Sequence, residues 1–171
     1  MHAIRRTNKG GFTLVEILIV VIILGILAAI VIPQFTNASQ DARKNSLTSQ
    51  LQTVRSQIEL YKLQHLDTIP TGLAASTTDW SQFIGKTDQT GATGTTTAYP
   101  FGPYMQAVPS NPLNGLSDCK VVTADPTAVV GAGQTGKGFV FNSTNGKIWG
   151  TSAKQANIFD EANPTSTNND N

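Results

Sequence analysis

The residue types best placed to do chemistry lie at the start of the chain. A short leader holds Arg5, Arg6 and Lys9, carries no acid, and ends in Gly10-Gly11. Phe12-Thr13-Leu14-Val15-Glu16 follows, and then sixteen residues without a polar side chain, Ile17 to Ile32. A secretory signal peptide is cut behind small residues that come after its apolar stretch. Here the small residues come before it, so a cut between Gly11 and Phe12 leaves the apolar segment on the mature chain. That cut frees an amine at Phe12, protonated at neutral pH in water. Glu16 stands four residues on, about one helical turn away. A carboxylate in an apolar span costs a few kcal/mol on insertion scales, and a cationic partner offsets that cost. The chemistry on offer is cleavage by an outside peptidase, followed by pairing of amine and carboxylate within one chain or between copies. A buried, half-paired charge is expensive, so such pairing would check register during assembly.

Elsewhere the chemical inventory is thin. Cys119 is the one cysteine, which rules out an intrachain disulfide. It reads as a small buried hydrophobe, because a nucleophile wants a histidine and only His2 and His65 exist. Gly131-Ala132-Gly133-Gln134-Thr135-Gly136-Lys137-Gly138 resembles a phosphate loop only superficially: Gly138 follows the lysine where Ser or Thr is required, and no helical pattern comes after it. It reads as a flexible loop. No catalytic constellation and no metal-ligand spacing appears, so no enzyme activity is expected. Loss of residues 1–11 would leave nine cationic against eleven acidic side chains, a formal charge of −2. That balance argues against a basic nucleic-acid surface.

The elements that must position these residues follow from periodicity. A helix from Phe12 to Phe35 spans about 36 Å, enough for a hydrocarbon core of about 30 Å. Cations flank its leader end, and none follows Phe35 until Arg43. The positive-inside rule places the leader in the cytoplasm and the bulk of the chain on the other side. Pro33 lacks an N–H and predicts a kink or break, and Gly25 weakens the helix further. Beyond Pro33 the pattern turns amphipathic: Leu47, Leu51, Val54, Ile58 and Tyr61 form one stripe, with Asp41, Arg43, Lys44, Gln50, Arg55, Glu59 and Lys62 between. Arg55 and Glu59 are an i, i+4 pair. The helix is expected to end near His65 to Asp67, ahead of Pro70 and Gly72.

Gly10-Gly11-Phe12-Thr13-Leu14-Val15-Glu16, with the run to Ile32-Pro33-Gln34-Phe35, resembles the class III leader and N-terminal helix of type IV pilins and type II secretion pseudopilins. Residues 50–62 resemble the same region of the major pseudopilin. The resemblance implies cleavage after Gly11 by a prepilin peptidase and N-methylation of Phe12. It implies that Glu16 pairs with the terminus of a neighbouring subunit, and that the stretch from Gly25 to Pro33 unwinds once subunits assemble. The implied partners are further copies in a helical filament, an inner-membrane assembly platform and minor pseudopilins, with the membrane as host before assembly and no nucleic acid. Many adhesive pilins close a C-terminal loop with a disulfide; its absence here favours a secretion pseudopilin, which would drive protein export across the outer membrane. A type IV pilus subunit for adhesion, motility or DNA uptake is the alternative. Major pseudopilins also bind calcium in a loop near the C-terminus. Here the hairpin turn Asn145-Gly146 has no adjacent aspartate, and Asp118, Asp125 and Asp160 are isolated, whereas calcium wants six to eight clustered oxygens. No cofactor is therefore expected and no calcium ligand is assigned.

Residues 71–171 are polar and turn-rich. Trp80 to Ile84 reads as a short helical turn and Gly85 to Ala98 as loop. The Pro- and aromatic-rich Tyr99 to Gly115 reads as a rigid loop packing on the helix. It is loosely similar to the stretch before the sheet in major pseudopilins, with Asn111-Pro112-Leu113-Asn114-Gly115 where an acidic version is usual. Gly138 to Trp149 reads as a β-hairpin turning at Asn145-Gly146. Val121-Val122 and Ala128 to Val130 are candidate edge strands. The expected fold is α+β and pilin-like: a long N-terminal helix, hydrophobic then amphipathic, packed on a small antiparallel sheet. The expected domains are a cleaved leader (1–11), a membrane and filament-core helix (12–35), a periplasmic globular domain (36–162) and a disordered tail (163–171).

Overall fold

The computed structural model describes residues 11–74, 79–126, 135–155, 157–163 and 169. The chain divides into two compact units, Met1–Ser39 and Gln40–Asn171. One helix, α1 (Leu14–Gln64), supplies residues to both. Residues 1–10 of the expected leader, the strand expected at Ala128 to Val130 and the core of the glycine-rich loop lie outside the described residues.

In the first unit, every large apolar residue from Phe12 to Phe35 is exposed. Among the described residues, α1 is the one helix long and apolar enough to cross a membrane. It runs without a break through Gly25 and Pro33. The break expected there is absent from this single chain. Proline's fixed φ suits a helix, so the residue forfeits one hydrogen bond, at a cost of about 3 kcal/mol, without ending the element.

In the second unit the stripe does what its spacing predicts. Leu47, Leu51, Val54, Ile58 and Tyr61 are buried on one face of α1. They share a core with Leu73, Trp80, Phe83, Tyr104, Cys119, Phe139, Phe141, Ile148 and Phe159. The helix ends at Gln64 through two residues with positive φ, Leu66 and Asp67, while the Asp67 N–H returns to the Lys62 carbonyl at 2.8 Å. Short helices α2 (Thr71–Ala74) and α3 (Ser81–Ile84) follow. Strands β1 (Lys86–Thr87) and β2 (Thr93–Gly94) pair antiparallel, so the stretch read as bare loop holds a small ribbon. Its turn is tied by Asp88, whose carboxylate accepts from the Thr90 hydroxyl and from the Thr90 and Ala92 N–H groups. Composition could not reveal it, because neither strand carries a large apolar residue.

The main sheet has the order β3-β4-β5, with β3 (Cys119–Val122), β4 (Phe139–Asn142) and β5 (Ile148–Gly150). The β4–β5 hairpin is antiparallel, as Asn145-Gly146 demands; Gly146 has φ 76°. The β3–β4 pair is parallel, which makes the sheet mixed rather than purely antiparallel. The short connection between Asn142 and Ile148 forces antiparallel pairing, whereas the long connection from residue 123 to 138 allows a crossover. Gly150 lets β5 close on the helix: a Cβ there would meet Leu47 Cδ2 at 2.8 Å.

The Pro-rich stretch is structural, as its composition predicts. The Tyr104 hydroxyl donates to Gln64 Oε1 at 2.7 Å. Buried Asn111 donates from Nδ2 to the carbonyls of Gly138 (2.7 Å) and Thr151 (2.9 Å) and accepts from the Leu113 N–H. Asn114 donates to the Thr151 hydroxyl and the Ser152 carbonyl. These amides bind the loop to the sheet through hydrogen bonds that a buried polar group requires. Of the expected tail, residues 164–168, 170 and 171 lie outside the described residues, and Asn169 is buried. Its Oδ1 accepts from the Asp160 N–H at 2.7 Å, and its carbonyl accepts from Ala153 at 3.1 Å. A polar side chain held by hydrogen bonds escapes a reading based on apolar content.

Candidate processing and assembly site

The site expected at the start of the chain is built on the first turn of α1. Thr13 precedes Leu14, the first helical residue, and stands at the N-cap. Its hydroxyl accepts from the Glu16 N–H at 3.2 Å. Glu16 reaches back, and its Oε2 accepts from both the Thr13 N–H and the Thr13 hydroxyl at 2.8 Å. This reciprocal arrangement is a capping box, and it satisfies two backbone donors that a helix start leaves unpaired. The Thr13 carbonyl takes the first intrahelical bond, from Ile17 at 3.3 Å. The carboxylate also complements the positive end of the helix dipole. The pattern T-x-x-E ahead of an apolar run is its sequence signature. Reading Glu16 for charge pairing alone misses it.

The remaining predicted residues lie open. Phe12 is 85% exposed. A Cβ added at Gly11 or at Gly25 would meet nothing within 4 Å. Neither glycine is thus required by packing among the described residues. Gly25 weakens a helix interior by about 1 kcal/mol relative to Ala, with no compensating contact in the isolated subunit. Next to Pro33, the Thr36 hydroxyl donates to the Ile32 carbonyl at 3.1 Å. The structure therefore brings Thr13 and Glu16 together; among the described residues, no hydrogen bond or ion pair joins Gly11, Phe12, Gly25 or Pro33 to a distant part of the chain.

The second unit holds the other residues singled out from sequence. Cys119 is buried in the core. His65 is also buried: it stacks on Tyr61 with ring centroids 3.8 Å apart, and it bonds the Tyr61 carbonyl and the Thr87 hydroxyl. Cysteine and histidine both serve packing. Burial, with smaller contributions from Tyr104 and Asp88, pushes the Tyr61 phenol up to about 12, which keeps it neutral. Arg55 does not pair with Glu59. It forms a two-pronged ion pair with Glu161 and also donates to the Ile148 carbonyl, at 2.7 Å from Nη2, while Glu59 pairs with Lys62. Asp118 faces Lys137 at 3.6 Å, and Asp160 caps the Ala162 and Asn163 N–H groups. Asp125, isolated in sequence, is not isolated in space: Asn142, Asn145 and Lys147 converge on it. Among the described residues, no three His, Cys, Asp or Glu side chains group as a metal site would require.

Comparison with known proteins converges on the start of the chain and extends beyond it. Residues 6–32 match the family described as the prokaryotic N-terminal methylation motif. The type II secretion system core protein G of Klebsiella michiganensis is 29% identical over 149 residues, covering 86% of this chain and 91% of the relative. That of Klebsiella pneumoniae is 31% identical over 107 residues, covering 61% of this chain and 69% of the relative. The ComG operon protein 3 homolog of Bacillus licheniformis is 36% identical over 58 residues, 34% of this chain and 60% of the relative. No solved structure matches. A capped apolar helix bearing the methylation motif, on an α+β unit whose likeness reaches across most of a known relative, leads to one assignment: the chain belongs to the type II secretion system core protein G family, the pseudopilins.

Proposed function

We propose that this chain is a structural subunit of a secretion pseudopilus. In this reading it is made with a leader, residues 1–11, and cut after Gly11 by a prepilin peptidase. Phe12 is then N-methylated. Residues 12–35 hold the subunit in the inner membrane, with the leader side cytoplasmic and the globular unit periplasmic. Subunits leave the membrane by polymerising through the same helix on an assembly platform, with minor pseudopilins, and the filament drives protein export across the outer membrane. The carrying observation is a helix whose every large apolar residue from Phe12 to Phe35 is exposed. Such a surface is costly in water, at about 25 cal/mol per Å², and needs lipid first and neighbouring helices afterwards.

The local geometry supports the roles assigned to single residues. Among the described residues a Cβ at Gly11 would meet nothing within 4 Å, and in this reading the glycine serves the fit of an outside peptidase. Glu16 is satisfied by its own Thr13 while the subunit is alone. On assembly it exchanges that bond for the Phe12 ammonium of a neighbour.

Intact mass and N-terminal sequencing of the protein from native membranes test the pathway. A start at methylated Phe12 is expected, and a start at Met1 overturns it. Two substitutions at Glu16 separate charge from capping. Glu16→Gln can still close a capping box, and Glu16→Ala cannot. Both are expected to be processed and neither to form filaments. Normal filaments from the glutamine variant would overturn charge pairing in favour of the cap alone.

A further inference from the structure

The family resemblance implies a calcium ion in a loop near the C-terminus, and the groups around the best candidate carboxylate can be tested for fit. Asp125 Oδ1 accepts from Asn142 Nδ2 at 2.6 Å and from Asn145 Nδ2 at 2.6 Å. Its Oδ2 accepts from the Lys147 ammonium. All three neighbours present hydrogens to the carboxylate, and calcium needs oxygens. The two asparagine oxygens already serve their own turn: Asn142 Oδ1 accepts from the Thr144 N–H at 2.8 Å, and Asn145 Oδ1 from the Lys147 N–H at 3.0 Å. Two carbonyls close by are also occupied, Val122 by the Ser143 N–H and Thr123 by the Thr144 hydroxyl. A divalent ion would find one carboxylate, a competing ammonium, and neutral oxygens already engaged in hydrogen bonds. These groups do not fit calcium.

They form something else. Asp125 leads out of β3, and Asn142, Asn145 and Lys147 belong to the β4–β5 turn. The carboxylate is the knot between the two segments, and a cation is in place to balance it. We infer that the Lys147 ammonium, with the Asn142 and Asn145 amides, does here the work of a bound cation, fastening the segment after β3 to the β4–β5 turn without a metal ion at that junction. The ammonium is covalently joined to the chain. The fastening therefore does not depend on the ion concentration outside, whereas the stabilisation given by a bound ion grows with its free concentration.

Thermal unfolding of the full-length protein in detergent tests this, with a chelator or with millimolar calcium present. The wild-type Tm is expected to be the same in both, within about 1 °C. Lys147→Ala removes the cation from an exposed position, so the unit still folds. Its Tm is expected to fall by about 2–4 °C in chelator. Asp125→Asn, which keeps the shape and loses the charge, is expected to fall similarly. A rise of several degrees in wild-type Tm on adding calcium would overturn the inference. So would an unchanged Tm in both variants.

Discussion

The two halves of α1 answer the same question in opposite ways. From Leu47 to Tyr61 the apolar residues form one stripe and are buried by the chain's own sheet and loops. From Phe12 to Phe35 they cover the helix all round, and the chain buries none of the large ones. A stripe can be satisfied by one neighbour on one side, but an all-round apolar surface needs a surrounding medium or several neighbours. Polar chemistry divides the same way. In the second unit Arg55, Asn111 and Asp125 join segments far apart in sequence. At the helix start, Thr13 and Glu16 bond to each other, three residues apart.

The comparison breaks if the two halves respond alike to truncation. Phe141→Ala is expected to destabilise the globular unit by about 3–5 kcal/mol, as a cavity in a packed core does. Ile22→Ala is expected to leave the unfolding of that unit unchanged in detergent. Urea or thermal unfolding followed by tryptophan fluorescence reports both, and equal losses would remove the distinction. A smaller effect sharpens it. Arg55→Ala is expected to cost about 1–2 kcal/mol, because the ion pair is only partly shielded and the Ile148 carbonyl loses a charged donor. The smallest effect is one of pH. The Lys147 ammonium, then the Asn145 and Asn142 amides, hold the Asp125 carboxyl below the usual carboxylate range. A group depressed in this way contributes stability above its unfolded value, near pH 4, and loses it as pH falls through the lower folded value. The Tm gap between wild type and Asp125→Asn should be constant from pH 7 to about 5 and close in stronger acid. A gap that persists unchanged in strong acid would assign the effect to shape.

Where a residue's role depends on near neighbours in sequence, it was legible. The stripe, the helix stop before Pro70 and the Asn145-Gly146 hairpin all follow from local spacing. So did the capping box in principle, since T-x-x-E is contiguous; it is easily passed over because Glu16 already has another explanation. Contacts between distant segments were not legible. Arg55 has Glu59 one turn away yet chooses Glu161, because that carboxylate lies beside the Ile148 carbonyl and both prongs can be used. Likewise, nothing in composition tells that Asp125 meets the β4–β5 turn well down the chain, or that Asn169 returns to Asp160. The parallel β3–β4 pairing belongs to this class, because a long connection permits either direction.

Arg55 also has a mechanical meaning. A helix and a sheet can bear a load together only if the joint between them holds. The link from α1 to the far end of the chain consists of paired bonds from one guanidinium, to Glu161 and to Ile148, beside the close seat of Leu47 on Gly150. Bonds sharing one rigid plane take up a load together and do not fail singly. Within the second unit, a load on the Leu47 to Gln64 stretch of α1 would reach the sheet as shear across a bolted joint.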